Sequence, residues 1–130
     1  MEGQYFVLKI IFMHNQEIGR YGEQLACEYL IRKGYKILSR NYKASYKELD
    51  IVAERGVFIV FAEVKTRISK YYGSGIESMS QKKQRDLKYA INKYLTLKKL
   101  WNKEPRGDLI LVDINKGKKI AKIKHYEDIL

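Results

Sequence analysis

Apolar residues recur at helical spacing between Asn15 and Gly34, where Ile18, Tyr21, Leu25, Tyr29 and Leu30 share one stripe. Asn15 suits an N-cap, Glu17 a first turn and Gly34 a helix end, so this stretch reads as an amphipathic helix. The period then changes. From Tyr35 to Tyr46, Tyr, Ile and Leu alternate with Lys, Ser and Arg, as on a strand. Glu48 to Glu54 and Val57 to Arg67 read as two further strands, with Arg55-Gly56 as a two-residue hairpin turn. Ile68 to Ser80 is polar and glycine-containing, a loop. Ser78 or Ser80 then caps a long basic helix running to about Leu100. Its apolar positions are Leu87, Ala90 or Ile91, Tyr94, Leu95 and, marginally, Leu97. The only proline, Pro105, lies in the stretch 102–107 that breaks this helix. Leu109 to Ile114 is nearly all apolar, which suits a strand buried on both faces. Lys116-Gly117-Lys118 turns the chain, and Ile120 to Tyr126 alternates as a last strand.

The order is α-β-β-β-α-β-β. Short links make the first three strands an antiparallel meander, and the strand after the long helix returns by a crossover. That predicts one α/β domain over 15–130, with a mixed sheet covered by helices on both faces. Residues 1–14 are an extension that reads equally as an extra strand, a partner-binding arm or a mis-called start.

Composition narrows the function classes. The 130 residues carry 26 Lys and Arg against 15 Asp and Glu, a formal net charge of +11 that points to an anionic partner. The single cysteine, Cys27, excludes an intramolecular disulfide and a multi-cysteine zinc site. It lies within the helical pattern, and the two histidines, His14 and His125, stand near opposite chain ends, so Cys27 reads as a small apolar core residue. No apolar run approaches the roughly 20 residues of a membrane span, and the start lacks a signal-peptide pattern. The expectation is a cytoplasmic protein with no membrane partner.

Four charged residues then stand out at strand positions: Glu48, Asp50, Glu63 and Lys65. Alternation puts Glu48 and Asp50 on one face, with Leu49, Ile51 and Ala53 on the other. It puts Glu63 and Lys65 on one face, opposite Phe58, Val60, Ala62 and Val64. With an Arg55-Gly56 turn, Asp50 lies across from Phe61 and diagonal to Glu63 on one face. Two converging carboxylates need a cation between them. Lys65 supplies part of that charge, and a hard divalent ion, Mg²⁺ or Mn²⁺, supplies the rest. Such an ion could clamp a scissile phosphate, with Lys65 orienting or deprotonating water or offsetting charge. A lone Glu-x-Lys is usually a surface ion pair; Asp50 and Glu48 upstream argue against that reading here.

Asp50, twelve intervening residues and then Glu63-Val64-Lys65 resembles the PD-(D/E)xK signature of restriction-endonuclease-like nucleases. A wider set of residues resembles the YraN family, small bacterial predicted endonucleases. Its first part is Gly19-Arg20-Tyr21-Gly22-Glu23, Ala26, Tyr29-Leu30, Gly34-Tyr35 and Arg40-Asn41-Tyr42. Its second part is Glu48 to Ala53, Phe61 to Arg67, Lys83-Gln84 and Arg106-Gly107-Asp108. The resemblance runs from about Asn15 to about Ile114. It implies a restriction-endonuclease-like fold, similar to that of archaeal Holliday-junction resolvases. It implies metal ligation by Asp50, Glu63 and the Val64 carbonyl, Lys65 as catalytic lysine, and Glu23 and Glu48 as members of the site. Lys47 stands where the family usually has glycine, and Gly107 where it usually has an aromatic residue.

The nucleic acid is expected along Arg67, Lys70, Tyr71 and Tyr72 after the catalytic strand, and along Lys82, Lys83 and Arg85 at the start of the basic helix. The leading reading is a metal-dependent nuclease acting on phosphodiester bonds, in DNA first of all, branched or damaged forms included. The alternatives are a non-catalytic nucleic-acid-binding module and an interaction protein with incidental charge. Resolvase-like activity would also require a homodimer.

Overall fold

The computed structural model describes residues 4–7, 15–68 and 79–130. The expected loop residues 69–78, with Lys70, Tyr71 and Tyr72, and the side chain of the expected cap Asn15 lie outside the described set. Among the described residues eight elements follow one another: β1 (Gln4–Val7), α1 (Asn15–Arg32), β2 (Lys36–Ala44), β3 (Lys47–Arg55), β4 (Phe58–Ile68), α2 (Gln81–Lys98), β5 (Glu104–Asn115) and β6 (Ile120–Tyr126). The expected α-β-β-β-α-β-β order is present, preceded by β1. Part of the 1–14 extension is therefore an extra strand. It pairs antiparallel with β6 at the edge of the sheet.

The six strands form one mixed sheet in the order β1-β6-β5-β4-β3-β2. β2, β3 and β4 are an antiparallel meander, and β4 pairs parallel with β5 after the α2 crossover. Each face of the sheet carries one helix and one core. On the α1 side, Leu25, Ala26 and Leu30 pack on Ile51, Ala53, Val60, Ala62, Ile110 and Val112. On the α2 side, Leu87, Ala90, Ile91 and Tyr94 pack on Leu49, Val52, Ile59, Phe61, Leu109 and Leu111. This is an α/β fold consistent with the restriction-endonuclease-like class. Cys27 is buried in the α1-side core, as expected, and burial pushes its thiol pKa up. Leu97 is exposed and belongs to neither core. Among the described residues no helix is long and apolar enough to cross a membrane.

Three local features set the geometry. Gly34 ends α1 in the left-handed conformation, at φ 90°, with Gly34 N–H donating to Ile31 and Tyr35 N–H to Leu30, both at 3.0 Å. Ser80 caps α2, its hydroxyl accepting the Lys83 N–H at 3.2 Å. Gly22 lets α1 lie against β4: a Cβ there would stand 1.8 Å from Thr66 Oγ1.

The β3–β4 turn differs from the sequence expectation. Arg55 pairs with Phe58, so the two-residue loop is Gly56-Val57, one residue later than expected. The first loop position has φ 60°, and glycine takes that conformation without strain where arginine would not. Paired numbers then sum to 113 rather than 111. A shift of two keeps every side chain on its face but moves its partner. Pro105, expected to lie between elements, is inside β5. β6 pairs with β5 only from Leu109 onward, so Pro105 sits on an open edge where its missing N–H breaks no ladder bond.

Candidate active site

The new register carries Asp50 to a position directly across from Glu63, not across from Phe61. The β3–β4 ladder stops one residue short of that pair, at Ile51 and Ala62. In its place the Asp50 carboxylate accepts the main-chain N–H of Val64, Oδ2 to N 2.8 Å. A side chain has replaced a backbone acceptor, and β3 departs from β4 at this point.

β3 also breaks its alternation here. Leu49 packs in the α2-side core, while Ile51 and Ala53 pack in the α1-side core. The expectation that these three share a face is therefore corrected. The neighbouring strand breaks at the same place: Asn41 of β2, in the same register position as Asp50, has φ 50° and leaves the extended region. Alternation from Leu49 then directs Glu48 toward the α1 side and Lys47 toward the α2 side. Alternation along β4 holds as expected: Glu63 and Lys65 pair with Leu109 and Leu111 of the α2-side core, and Val64 packs on the α1 side.

Four carboxylates influence one another's charge around the break. Burial and the facing Glu63 push the Asp50 pKa up to about 7, with Glu23 adding to the rise; the Val64 N–H and Lys47 oppose it. Burial also raises Glu23; Arg40 and Asn41 pull it back, and Glu48 and Glu63 push it further up. Glu23 of α1 thus shares an electrostatic neighbourhood with Glu48, Asp50 and Glu63 of the sheet. The close approach of Gly22 to Thr66 is what lets α1 deliver it.

The cation in this cluster is not the one expected. Lys65 is exposed and forms no hydrogen bond or ion pair with the described residues. Lys47 instead places its ammonium on both oxygens of Glu63, at 3.2 and 3.0 Å. The signal for this was the hairpin register, because Lys47 directly follows the Ser45-Tyr46 turn on the strand facing Glu63.

The basic helix begins beside these residues. Tyr46 donates to Asp86 of α2 at 3.2 Å and stacks on Tyr89. Asp86 is held below the usual carboxylate range by its hydrogen bond from Lys82, with a smaller contribution from Lys47. Lys83 and Arg85 on the same turn are exposed. Arg67, by contrast, is drawn into an ion pair with Asp113. The distal lysines do structural work: Lys98 lies over Tyr42 and Tyr94, and Lys103 binds Glu54 and the Gly56 carbonyl.

The span that holds this geometry is also the span a family shares. The model of the Uncharacterised protein family UPF0102 matches residues 22–112, from Gly22 to Val112. The chain belongs to this family. It is 39% identical to the UPF0102 protein of Carboxydothermus hydrogenoformans over 118 residues, covering 91% of this chain and 98% of that one. It is 43% identical to the UPF0102 protein of Syntrophomonas wolfei over 111 residues, 85% of this chain and 95% of that one. It is 41% identical to that of Dictyoglomus turgidum over 100 residues, 77% of this chain and 85% of that one. UPF0102 is the YraN family, so the resemblance read from the sequence is borne out.

The UPF0102 span contains Glu23, Asp50, Glu63 and Lys65, and it also reaches a second cluster, built on Arg106 and Asp108 with partners that the sequence did not announce. Asp108 is fully buried at the start of the apolar part of β5. Its carboxylate accepts from Arg106 at 2.9 and 3.0 Å, from His125 Nε2 at 2.6 Å and from the Asp128 N–H at 3.0 Å. Tyr29 of α1 meets the other ring nitrogen of His125 at 2.8 Å. Burial raises the Asp108 pKa, but the hydrogen bonds from His125 and Arg106 outweigh it and hold the group below the ordinary range. Leu130 lies over Gly107, in the space a side chain at that position would take. This cluster ties the end of the chain to β5.

Proposed function

We propose that this UPF0102 protein is a metal-dependent nuclease that hydrolyses phosphodiester bonds, in DNA first of all. The observation that carries the reading is the opposition of Asp50 and Glu63 across the open end of β3 and β4, with Lys65 two residues on and on the face of Glu63. A purely structural pair of carboxylates would not be set against each other in a half-buried gap.

The donor set fits a hard cation. Among the described residues no group of three or more His, Cys, Asp or Glu side chains stands ready to hold a metal. Mg²⁺ keeps several waters and is commonly held by one or two carboxylates, so Asp50 and Glu63 suffice as side-chain ligands. A strand residue turns its N–H and C=O toward the same neighbour. The bond from Val64 N–H to Asp50 therefore directs the Val64 carbonyl to the same gap, which supports its role as a third ligand. When bound, Mg²⁺ or Mn²⁺ supplies a Lewis acid and an activated water.

The chain's own residues do the remaining work. Lys65 offers an exposed ammonium beside Glu63, suited to a phosphate oxygen or an attacking water. Glu23 and Glu48 add negative charge that strengthens cation binding. Lys83 and Arg85, with the α2 N-terminus, line the approach for the phosphate backbone. Backbone contacts of this kind favour recognition of shape over base sequence.

The second reading, a nucleic-acid-binding module without catalysis, is favoured by one observation: the Lys47 ammonium already sits on Glu63. The experiment that separates the two offers the protein duplex, single-stranded, flapped and four-way DNA, and RNA, with and without Mn²⁺. Metal-dependent cleavage supports the nuclease; binding without cleavage of any form supports the module.

A further inference from the structure

We infer that Lys47 is a built-in counter-cation that a divalent ion must displace to reach Glu63, and that it thereby sets the metal affinity of the site. The inference rests on the proposed reading of Asp50 and Glu63 as metal ligands.

The geometry points to competition rather than assistance. Both Glu63 oxygens face the Lys47 nitrogen, at 3.2 and 3.0 Å, so the carboxylate edge that a metal would use is engaged by the ammonium. The two side chains are matched in burial, at 22% and 21% exposure, which places the pair within the site rather than on the outer surface. The Lys47 backbone is fixed by its pairing with Ala44 across the Ser45-Tyr46 turn. Displacement therefore needs only a swing of the side chain. A second carboxylate lies on the α2 side of the site: Asp86 feels the charge of Lys47 and is bound by Lys82 and Tyr46. In the metal-free protein Lys47 offsets the repulsion between Asp50 and Glu63. With a metal bound, the same charge would stand a few ångström from a dication, which is unfavourable.

The test is Mn²⁺ binding by the full chain, read from the electron paramagnetic resonance signal of free Mn²⁺. The variants are Lys47→Met and Lys47→Arg, with Glu63→Gln as the site control. Lys47→Met should bind Mn²⁺ about tenfold more tightly than wild type, the order expected for removing a charge a few ångström away. Lys47→Arg keeps the charge and should bind no more tightly than wild type. Thermal unfolding without metal reports on folding of each variant, and Lys47→Met should melt lower there. Equal or weaker Mn²⁺ binding by Lys47→Met would overturn this inference and leave the ligand assignment standing. If wild type and every Lys47 variant bind no Mn²⁺, both the inference and the metal-site reading fall.

Discussion

The carboxylate of Asp50 holds the main-chain N–H of Val64 at 2.8 Å, across the point where β3 and β4 part. The register set by the Gly56-Val57 loop puts Asp50 across from Glu63, and this bond stands where the next backbone pairing after Ile51 and Ala62 would be, which leaves two acidic side chains in a half-buried gap. A sheet optimised only for stability would place an apolar pair there.

The first prediction concerns pH. Asp50 titrates at about 7 in the fold against an ordinary 3.8, so folding favours its protonated form. The associated stability is fully present below about pH 4 and is lost as the pH rises through about 7. Metal-free wild type should therefore unfold more easily at pH 8 than at pH 5. Asp50→Asn removes the ionisation and keeps an oxygen for the Val64 N–H. It should be more stable than wild type at pH 8 by about 1–3 kcal/mol. Urea unfolding of both proteins at pH 5 and pH 8 checks this.

A second prediction concerns the seat of α1. Gly22→Ala forces a methyl group into Thr66 and should cost about 1–3 kcal/mol by overpacking. It also moves Glu23 away from the sheet, so Mn²⁺ binding should weaken as well. Gly19→Ala has open space at the same helix and should leave both nearly unchanged. Chemical denaturation and Mn²⁺ titration of the pair distinguish the two positions.

How much of this was legible in the sequence follows from what each signal encodes. The helical stripe through Leu25 and Leu30 and the apolar run from Leu109 to Ile114 announced their elements, because burial itself writes those periods. The face of Glu63 and Lys65 was readable for the same reason. The Gly56-Val57 loop was not fixed by alternation, since a shift of two leaves every face in place; turn chemistry at Gly56 decides it. The break at Asn41 and Asp50 was hidden because Leu49, Ile51 and Ala53 are all apolar, and both faces of the sheet are buried. In the sequence Lys47 stands out only as a departure from a family pattern, because its partner across the sheet depends on the strand register.

The third prediction addresses the buried cluster on β5. Asp108→Ala leaves Arg106 and His125 without their shared carboxylate and frees the Asp128 N–H. Removing one partner of a buried charge pair costs about 3–5 kcal/mol, enough to unfold a marginal domain. Because the Asp108 pKa is held low, its contribution is present above about pH 4 and is lost on acidification below that. Circular dichroism of Asp108→Ala, and of wild type between pH 5 and pH 2, should show both losses.

The fourth prediction concerns the helix start. Lys82, Lys83 and Arg85 replaced together by alanine should weaken binding to duplex DNA of any sequence to a similar degree. Each phosphate no longer neutralised should lower the slope of log affinity against log salt by about 0.9. A triple variant with unchanged affinity and slope would place the nucleic acid elsewhere. Fluorescence anisotropy across a salt series provides the reading.

The central claim is that Asp50, Glu63 and Lys65 form a phosphodiester-cleaving centre. Its most direct measurement is the Mn²⁺-dependent cleavage rate of wild type, Asp50→Asn and Lys65→Met on the most readily cut nucleic acid, with binding affinity measured in parallel. The account predicts cleavage by wild type, loss of it in Asp50→Asn, and a fall of about 10²–10³ in Lys65→Met, all at retained nucleic-acid binding. Cleavage that persists at the wild-type rate in both variants, or no cleavage by wild type on any duplex, single-stranded, flapped or four-way substrate, would contradict it.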